Sequence, residues 1–272
     1  MAQVHPTALL EGNITLNDDV VVGPNCVLRG DITIGSGTEL IGSSYFTGKL
    51  VMGERNIVYP FSSIGFAAQD INYAADQYEP GIVIGNDNTF REGCTVHRAT
   101  QELPTTIGDH NVLMTTAHVG HDCQIGNHVT IVSDTCLGGH VHVHDNALLG
   151  GSSGAHQFVT IGKGAMIAAF VMTTYDILPY FMLTGINVVG SINVIGMRRT
   201  GMEPSEITSR KDIYKLLYRS KHSLGKAIEL LRDRDDAIAM EYIEAIDTSR
   251  RGIVPLPSEH RAARRNMAVK AD

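Results

Sequence analysis

A large apolar residue returns at every sixth position through most of this chain. The series starts at Leu16 and runs through Val22, Leu28, Ile34, Leu40, Phe46, Met52, Val58 and Ile64. It resumes at Ile84, Phe90 and Val96, and again at Ile107, from which it continues in phase to Ile167. Of its 23 positions, 22 carry a large apolar residue, Ala155 being the exception. A chain that is 43% apolar does not do this by chance. Four residues after many of these positions comes a small or β-branched residue, such as Val20, Cys26, Ile32, Ala117, Cys123 and Ala147.

A period of two marks ordinary strands and 3.6 marks helices; six marks neither. Three six-residue steps close a triangular coil, with the apolar residue pointing inward. Successive coils then stack at the strand spacing of roughly 4.8 Å. Glycine often follows the apolar residue, as in Ile34-Gly35, Ile84-Gly85, Ile107-Gly108 and Ile125-Gly126. It is expected there to adopt the unusual backbone of a tight corner. The predicted fold is an all-β left-handed parallel β-helix, a triangular prism of hexapeptide repeats, over residues 1–195. A small α-helical C-terminal domain is expected over 196–272. The apolar stripes Ile213/Leu216/Leu217, Leu224/Ala227/Ile228/Leu231 and Ala239/Tyr242/Ile243/Ile246 have helical spacing, with Ser223 placed as an N-cap. After about Ile253 the periodicity ends, and a loosely ordered tail is expected.

The phase breaks twice. Ile64 to Ile84 spans 20 residues where six are expected, and Val96 to Ile107 spans 11. Both gaps are read as loops thrown out at a corner, where function tends to sit. The first contains Gln69-Asp70-Ile71-Asn72-Tyr73.

A net charge of −7 argues against nucleic-acid binding by the chain as a whole. No apolar run reaches membrane-spanning length, and the first residues lack a secretory pattern. The four cysteines are scattered, which suits reduced thiols in the cytoplasm.

Stacking at 18 residues places side chains. His121 falls over Gly139, which falls over Gln157, while Asp122 falls over His140. His118 and His156 lie nearby, and all are off the inward phase, so they are expected to face solvent or a neighbouring subunit. A histidine takes a proton from a hydroxyl, and a carboxylate stabilises the imidazolium. A glycine N–H with no side chain shielding it stabilises an oxyanion. Together these are the equipment of acyl transfer from a thioester to an alcohol.

The segments Ala117-His118-Val119-Gly120-His121-Asp122-Cys123, Gly138-Gly139-His140-Val141, His156-Gln157-Phe158 and Asn193 to Gly201 carry a resemblance. In them, and from Val4 to about Ile246, the chain resembles the acyl-[acyl-carrier-protein]–UDP-N-acetylglucosamine O-acyltransferases of lipid A biosynthesis. The resemblance implies transfer of a (3-hydroxy)acyl group from acyl-carrier protein to the 3-position of the UDP-sugar, without a cofactor or metal. It implies His121 as general base, Asp122 as its partner and Gly139 as oxyanion donor. Gln69, Asp70, His118, His140 and Gln157 then line the sugar and thioester site. His156, Asn193 and Arg199 belong to the nucleotide-binding set, with Arg199 suited to phosphate. Ala169 falls at the floor of the acyl groove. The resemblance also implies a homotrimer with sites between subunits. Three positions depart from it: Asn72 stands for a common Lys, Ile195 for a common Glu and Thr200 for a second basic residue. They leave open a related acyl- or acetyltransferase acting on a 3-amino or other UDP-sugar, with acyl-CoA as an alternative donor.

A metalloenzyme of the γ-carbonic-anhydrase type on the same fold is disfavoured, because no two of the 12 histidines are five residues apart. Between Arg198 and Lys221 the basic residues Arg198, Arg199, Arg210, Lys211, Lys215, Arg219 and Lys221 outnumber Glu203, Glu206 and Asp212. Such a patch on an acidic protein suits the docking of an acidic carrier protein.

Overall fold

The computed structural model describes residues 1–73 and 80–256. Each coil lays one short strand on each of three faces. The first face is an 11-stranded sheet from Gln3–Val4 to the antiparallel pair Phe181–Gly185 and Val188–Ile192, which closes the prism. The second and third faces share a 14-stranded sheet, because the eight-residue strands Leu9–Leu16, Val27–Ile34 and Tyr45–Met52 run unbroken around the corner between them. Gly12, Gly30 and Gly48, at φ 102°, 137° and 74°, make that bend possible.

The register repeats at 18 residues wherever there is no insertion: His118 pairs with Cys136, Cys136 with Gly154, and Gly154 with Met172. From Val22 to Ile167 every member of the six-residue series is buried, none more than 4% exposed. A second buried column follows the positions four residues later. Part of it is polar: the Asn88 N–H donates to Asn56 Oδ1 (2.9 Å), the Asn111 N–H to Asn88 Oδ1 (2.8 Å) and the Val129 N–H to Asn111 Oδ1 (2.7 Å). This asparagine ladder satisfies amides that the corner removes from the sheet.

One sequence expectation is corrected. Gly35, Gly53, Gly85, Gly108, Gly126 and Gly162, which follow the apolar residue, do not carry the left-handed backbone, although Gly65 after Ile64 has a φ of 96°. That conformation falls two positions later, at Asp87, His110, Thr116, Asp122, His128, Asp134, His140, Asn146 and their equivalents, with φ between 56° and 62° in these eight. The glycines are required by space instead. The Asp145 carboxylate accepts from the Asn127 N–H of the previous coil (2.7 Å) and lies across Gly126, where a β-carbon would stand 2.5 Å from Oδ1. The same side-chain-to-amide bond recurs from the Asp109 N–H to Asn127 and from the Glu54 N–H to Asn86.

Among the described residues four helices follow: α1 (Val194–Arg199), α2 (Pro204–Tyr218), α3 (Leu224–Arg232) and α4 (Ala237–Asp247). Ser223 caps α3 as expected, accepting from the Lys226 N–H. Helix α1 is not foreseen by the sequence reading; it is six residues long, contains Gly196 and is started by Asn193. The helices dock on the prism end through Tyr214, Tyr218 and Tyr242 around Phe181, and the Tyr242 hydroxyl donates to Pro179 O (3.0 Å). After α4 the chain returns to the prism. Ile253 bridges to Asp176, and Val254 is fully buried, so the segment expected to be loose is docked as far as Leu256. The rest of the expected loose tail, 257–272, lies outside the described residues.

Candidate active site

Both insertions leave the prism at the same corner, in consecutive coils. The first joins Ser63–Phe66 to Ile82–Ile84, and the second joins Thr95–His97 to Thr105–Ile107. Each passes from the second face to the third. The next coil turns the same corner with His121 and Asp122, between His118–Val119 and Gln124–Ile125.

His121 Nδ1–H donates to Asp122 Oδ2 at 2.6 Å, which leaves Nε2 as the nitrogen with a free lone pair. The second insertion folds onto the same carboxylate. The Thr100 and Gln101 N–H groups donate to Oδ1 (2.9 Å each), the Thr100 hydroxyl donates to Oδ2 (2.8 Å), and the Asp122 N–H donates to Thr105 Oγ1 (2.9 Å). Burial alone would push the Asp122 carboxyl up; the bonds from His121, Thr100 and Gln101 outweigh it and hold the group at about 2. Within this chain these contacts cover the pair, expected from its register to face solvent or a neighbouring subunit. His121 and Asp122 are each only 6% exposed, because the loop closes over them.

One coil on, Gly139 lies against the His121 ring. A β-carbon at 139 would sit 2.5 Å from His121 Nε2. Among the described residues the Gly139 N–H donates to no acceptor, although Gly138 and His140 on either side donate to Ala155 O and His121 O. A buried amide left unpaired beside a histidine with a free lone pair can receive an oxyanion. The 18-residue register therefore sets the His121 ring beside the Gly139 amide.

The other expected residues divide into groups. His140 stands edge-on to His121 at 5.1 Å, and its Nε2 is 3.7 Å from Asp122. His118 Nδ1 bonds the Thr95 hydroxyl (2.7 Å) on the second face. Gln157 and His156 lie exposed on the coil after Gly139. Asp70 accepts from the Asn72 N–H (2.9 Å) in the first insertion, and its charge reaches His140; Gln69 beside it is exposed. Asn193 and Arg199 lie elsewhere, in a cavity of about 600 Å³ over the first face that they share with Thr130, Leu148, Met166 and Tyr180. Both ends of the Asn193 side chain are engaged, by the Gly196 N–H and Gly164 O. Ala169 is exposed at the corner between the first and second faces. Within one chain these last three do not meet His121.

The sequence reading missed His97. It is 8% exposed and edge-on to His118 at 5.2 Å, and among the described residues its Nδ1 has no hydrogen-bond partner. Burial, and then the neighbouring His118, lower its pKa to about 4. Burial also lowers His118 and His140. The only sequence signal for His97 was its place at the start of the second insertion. The basic stretch is smaller than expected, because Arg210 points inward, bonds Glu241 (2.7 Å) and lies over the Tyr180 ring.

One donor atom each from His121, Asp122 and His140 fall within 4.8 Å of one another, a spacing that a metal ion could use. Among the described residues no helix is long and apolar enough to cross a membrane.

Residues 176–254 match the family described as Udp N-acetylglucosamine O-acyltransferase, Domain 2, and residues 104–139 match the bacterial transferase hexapeptide. The chain is 36% identical over 258 residues to the acyl-[acyl-carrier-protein]–UDP-N-acetylglucosamine O-acyltransferase of Thermodesulfovibrio yellowstonii, covering 93% of this chain and 99% of that protein. Identity to the protein of the same name from Rhizobium johnstonii is 31%, over 85% and 86% of the two chains. The solved UDP-N-acetylglucosamine acyltransferase of Francisella novicida superposes with a TM-score of 0.89 at 34% identity, over 94% of this chain and 95% of that one. At 36% and 31% identity to two proteins of that name, over 93% and 85% of its length, the chain belongs to the family of acyl-[acyl-carrier-protein]–UDP-N-acetylglucosamine O-acyltransferases.

Proposed function

We propose that this chain transfers a (3-hydroxy)acyl group from an acyl-carrier-protein thioester to the 3-hydroxyl of UDP-N-acetylglucosamine, the first step of lipid A biosynthesis. The observation that carries the reading is the His121–Asp122 pair set against the unpaired Gly139 N–H. His121 Nε2 takes the proton of the sugar hydroxyl as its oxygen attacks the thioester carbonyl. The Asp122 carboxylate holds the imidazolium, and the Gly139 N–H receives the oxyanion. As the carbonyl re-forms, the C–S bond breaks and the leaving thiolate takes the proton back from His121. No cofactor enters these steps.

His118, His140, Gln157, Gln69 and Asp70 line the site in this reading, and His156, Asn193 and Arg199 hold the nucleotide. Asn193, Arg199 and Ala169 lie away from His121 in one chain, so the reading includes a homotrimer in which a neighbouring subunit supplies them. The division into a prism of 1–195 and a helical unit of 196–272, with the exposed Arg198, Arg199, Lys215, Arg219 and Lys221 and the half-buried Lys211 docking the carrier protein in the cytoplasm, belongs to the same reading.

The test is purified protein with acyl-carrier-protein thioesters against a panel of UDP-sugars, including a 3-amino sugar and with acyl-CoA as an alternative donor. Turnover with UDP-N-acetylglucosamine and the carrier thioester is expected. Turnover confined to the amine or to acyl-CoA would overturn the assignment of substrate.

A further inference from the structure

Three residues stand in file at the corner of the active site, one coil apart: Asp122, His140 and Phe158. All have left-handed backbone, at φ 60°, 61° and 67°. Aspartate and histidine are among the residues that tolerate this region, but a bulky aromatic there is an outlier. Such outliers persist where the surroundings hold them and cluster at functional sites. The Phe158 ring lies flat on the His140 ring, with centroids 4.4 Å apart and planes 8° from parallel, and Phe158 is 37% exposed. Phe61 and Phe170 have the same backbone at another corner but are 71% and 79% exposed.

His140 needs something to hold it. Among the described residues its ring makes no hydrogen bond, since its Nε2 stands 3.7 Å from Asp122, beyond hydrogen-bond reach. Its ring contacts are with His121, nearly perpendicular to it at 5.1 Å, and with the face of Phe158. The backbone only locates its Cα, through its own N–H to His121 O (2.9 Å). The plane of the imidazole is therefore set by the stack.

We propose that Phe158 is a positioning residue for the acyl transfer, its ring fixing the plane of His140 so that the imidazole edge is presented to His121 and Asp122. The inference rests on the acyl-transfer reading of that site.

Phe158→Asn tests it, because asparagine accepts the left-handed backbone and removes only the ring. The variant is expected to melt no lower than the parent. Its kcat for acyl transfer is expected to fall about tenfold, less than the roughly 100-fold that an ångström of misplacement costs, and Phe158→Tyr, which keeps the stack, to retain most of the turnover. In a double-mutant cycle, Phe158→Asn added to His140→Ala is expected to lower kcat no further than His140→Ala alone. Losses that multiply, or a Phe158→Asn variant as active as the parent, would overturn the proposal while leaving the functional reading intact. A parent protein that transfers no acyl group from any thioester would overturn the functional reading instead.

Discussion

His121 lies against Gly139 so closely that a β-carbon at 139 would stand 2.5 Å from Nε2. The glycine thus does two things. It leaves room for the ring, and it leaves its own N–H open beside Nε2, the nitrogen proposed to take the proton. Gly139→Ala should push the ring aside and lower kcat by about 100-fold, with little change in melting temperature because the side chain of His121 can turn away. Single-turnover assays with a thermal melt on the same sample check this.

His121→Ala removes the base and leaves the amide. Turnover should fall by roughly 100- to 10,000-fold, with the circular dichroism spectrum unchanged. Activity within a few-fold of the parent would remove His121 from its assigned role.

Asp122 ties chemistry to acid stability. Its folded pKa of about 2 lies below the ordinary 3.8, so its contribution is present above about pH 4 and disappears as pH falls toward 2. The size is about 2 kcal/mol. Asp122→Asn should therefore lower the melting temperature at pH 7 and narrow the gap to the parent at pH 3. Melting curves at several pH values show whether the two lines converge.

His97 acts over a higher range. It is buried neutral with a pKa lowered to about 4, so stability is complete above its ordinary value of 6.5 and is lost as pH falls from there toward 4. His97→Gln cannot take up that proton. The variant should lose less stability than the parent between pH 6.5 and 4, as read by thermal melts. An equal loss in both would mean that His97 is not the group responsible.

The asparagine ladder carries the buried corner amides of consecutive coils. Asn88→Val leaves the Asn111 N–H without its acceptor and removes the donor to Asn56. The expected loss is roughly 2 to 3 kcal/mol, measured by urea unfolding, with the acyl-transfer rate of the folded fraction unchanged.

Most of the prism was legible because one period controls it. Each inward position announces itself by volume, and the 18-residue step follows, which is why His121 over Gly139 could be placed in advance. The error over glycine has a physical cause. Gly85, Gly108 and Gly126 look like corner residues, yet what they accommodate is a side chain from the next coil, an effect that leaves no mark in their own hexapeptide. The folding of Thr100 and Gln101 onto Asp122 was equally invisible, since a loop that closes on one carboxylate has no period. Arg210 read as surface charge, but the buried face of α2 takes it inward between Tyr180 and Glu241. Phe158 was seen as part of a motif and given no role, because ring stacking between coils is a matter of orientation.

Because both loops leave and rejoin the prism at one corner, they add chain without rotating anything beyond them. A single residue inserted within a strand between His121 and Gly139 has no such escape. It would turn every later coil against every earlier one, moving the Gly139 amide off the corner where His121 sits. Length changes inside these strands are therefore confined to whole circuits, and evolution or an engineer seeking new specificity is left with the corners, the rim and the partners that dock there.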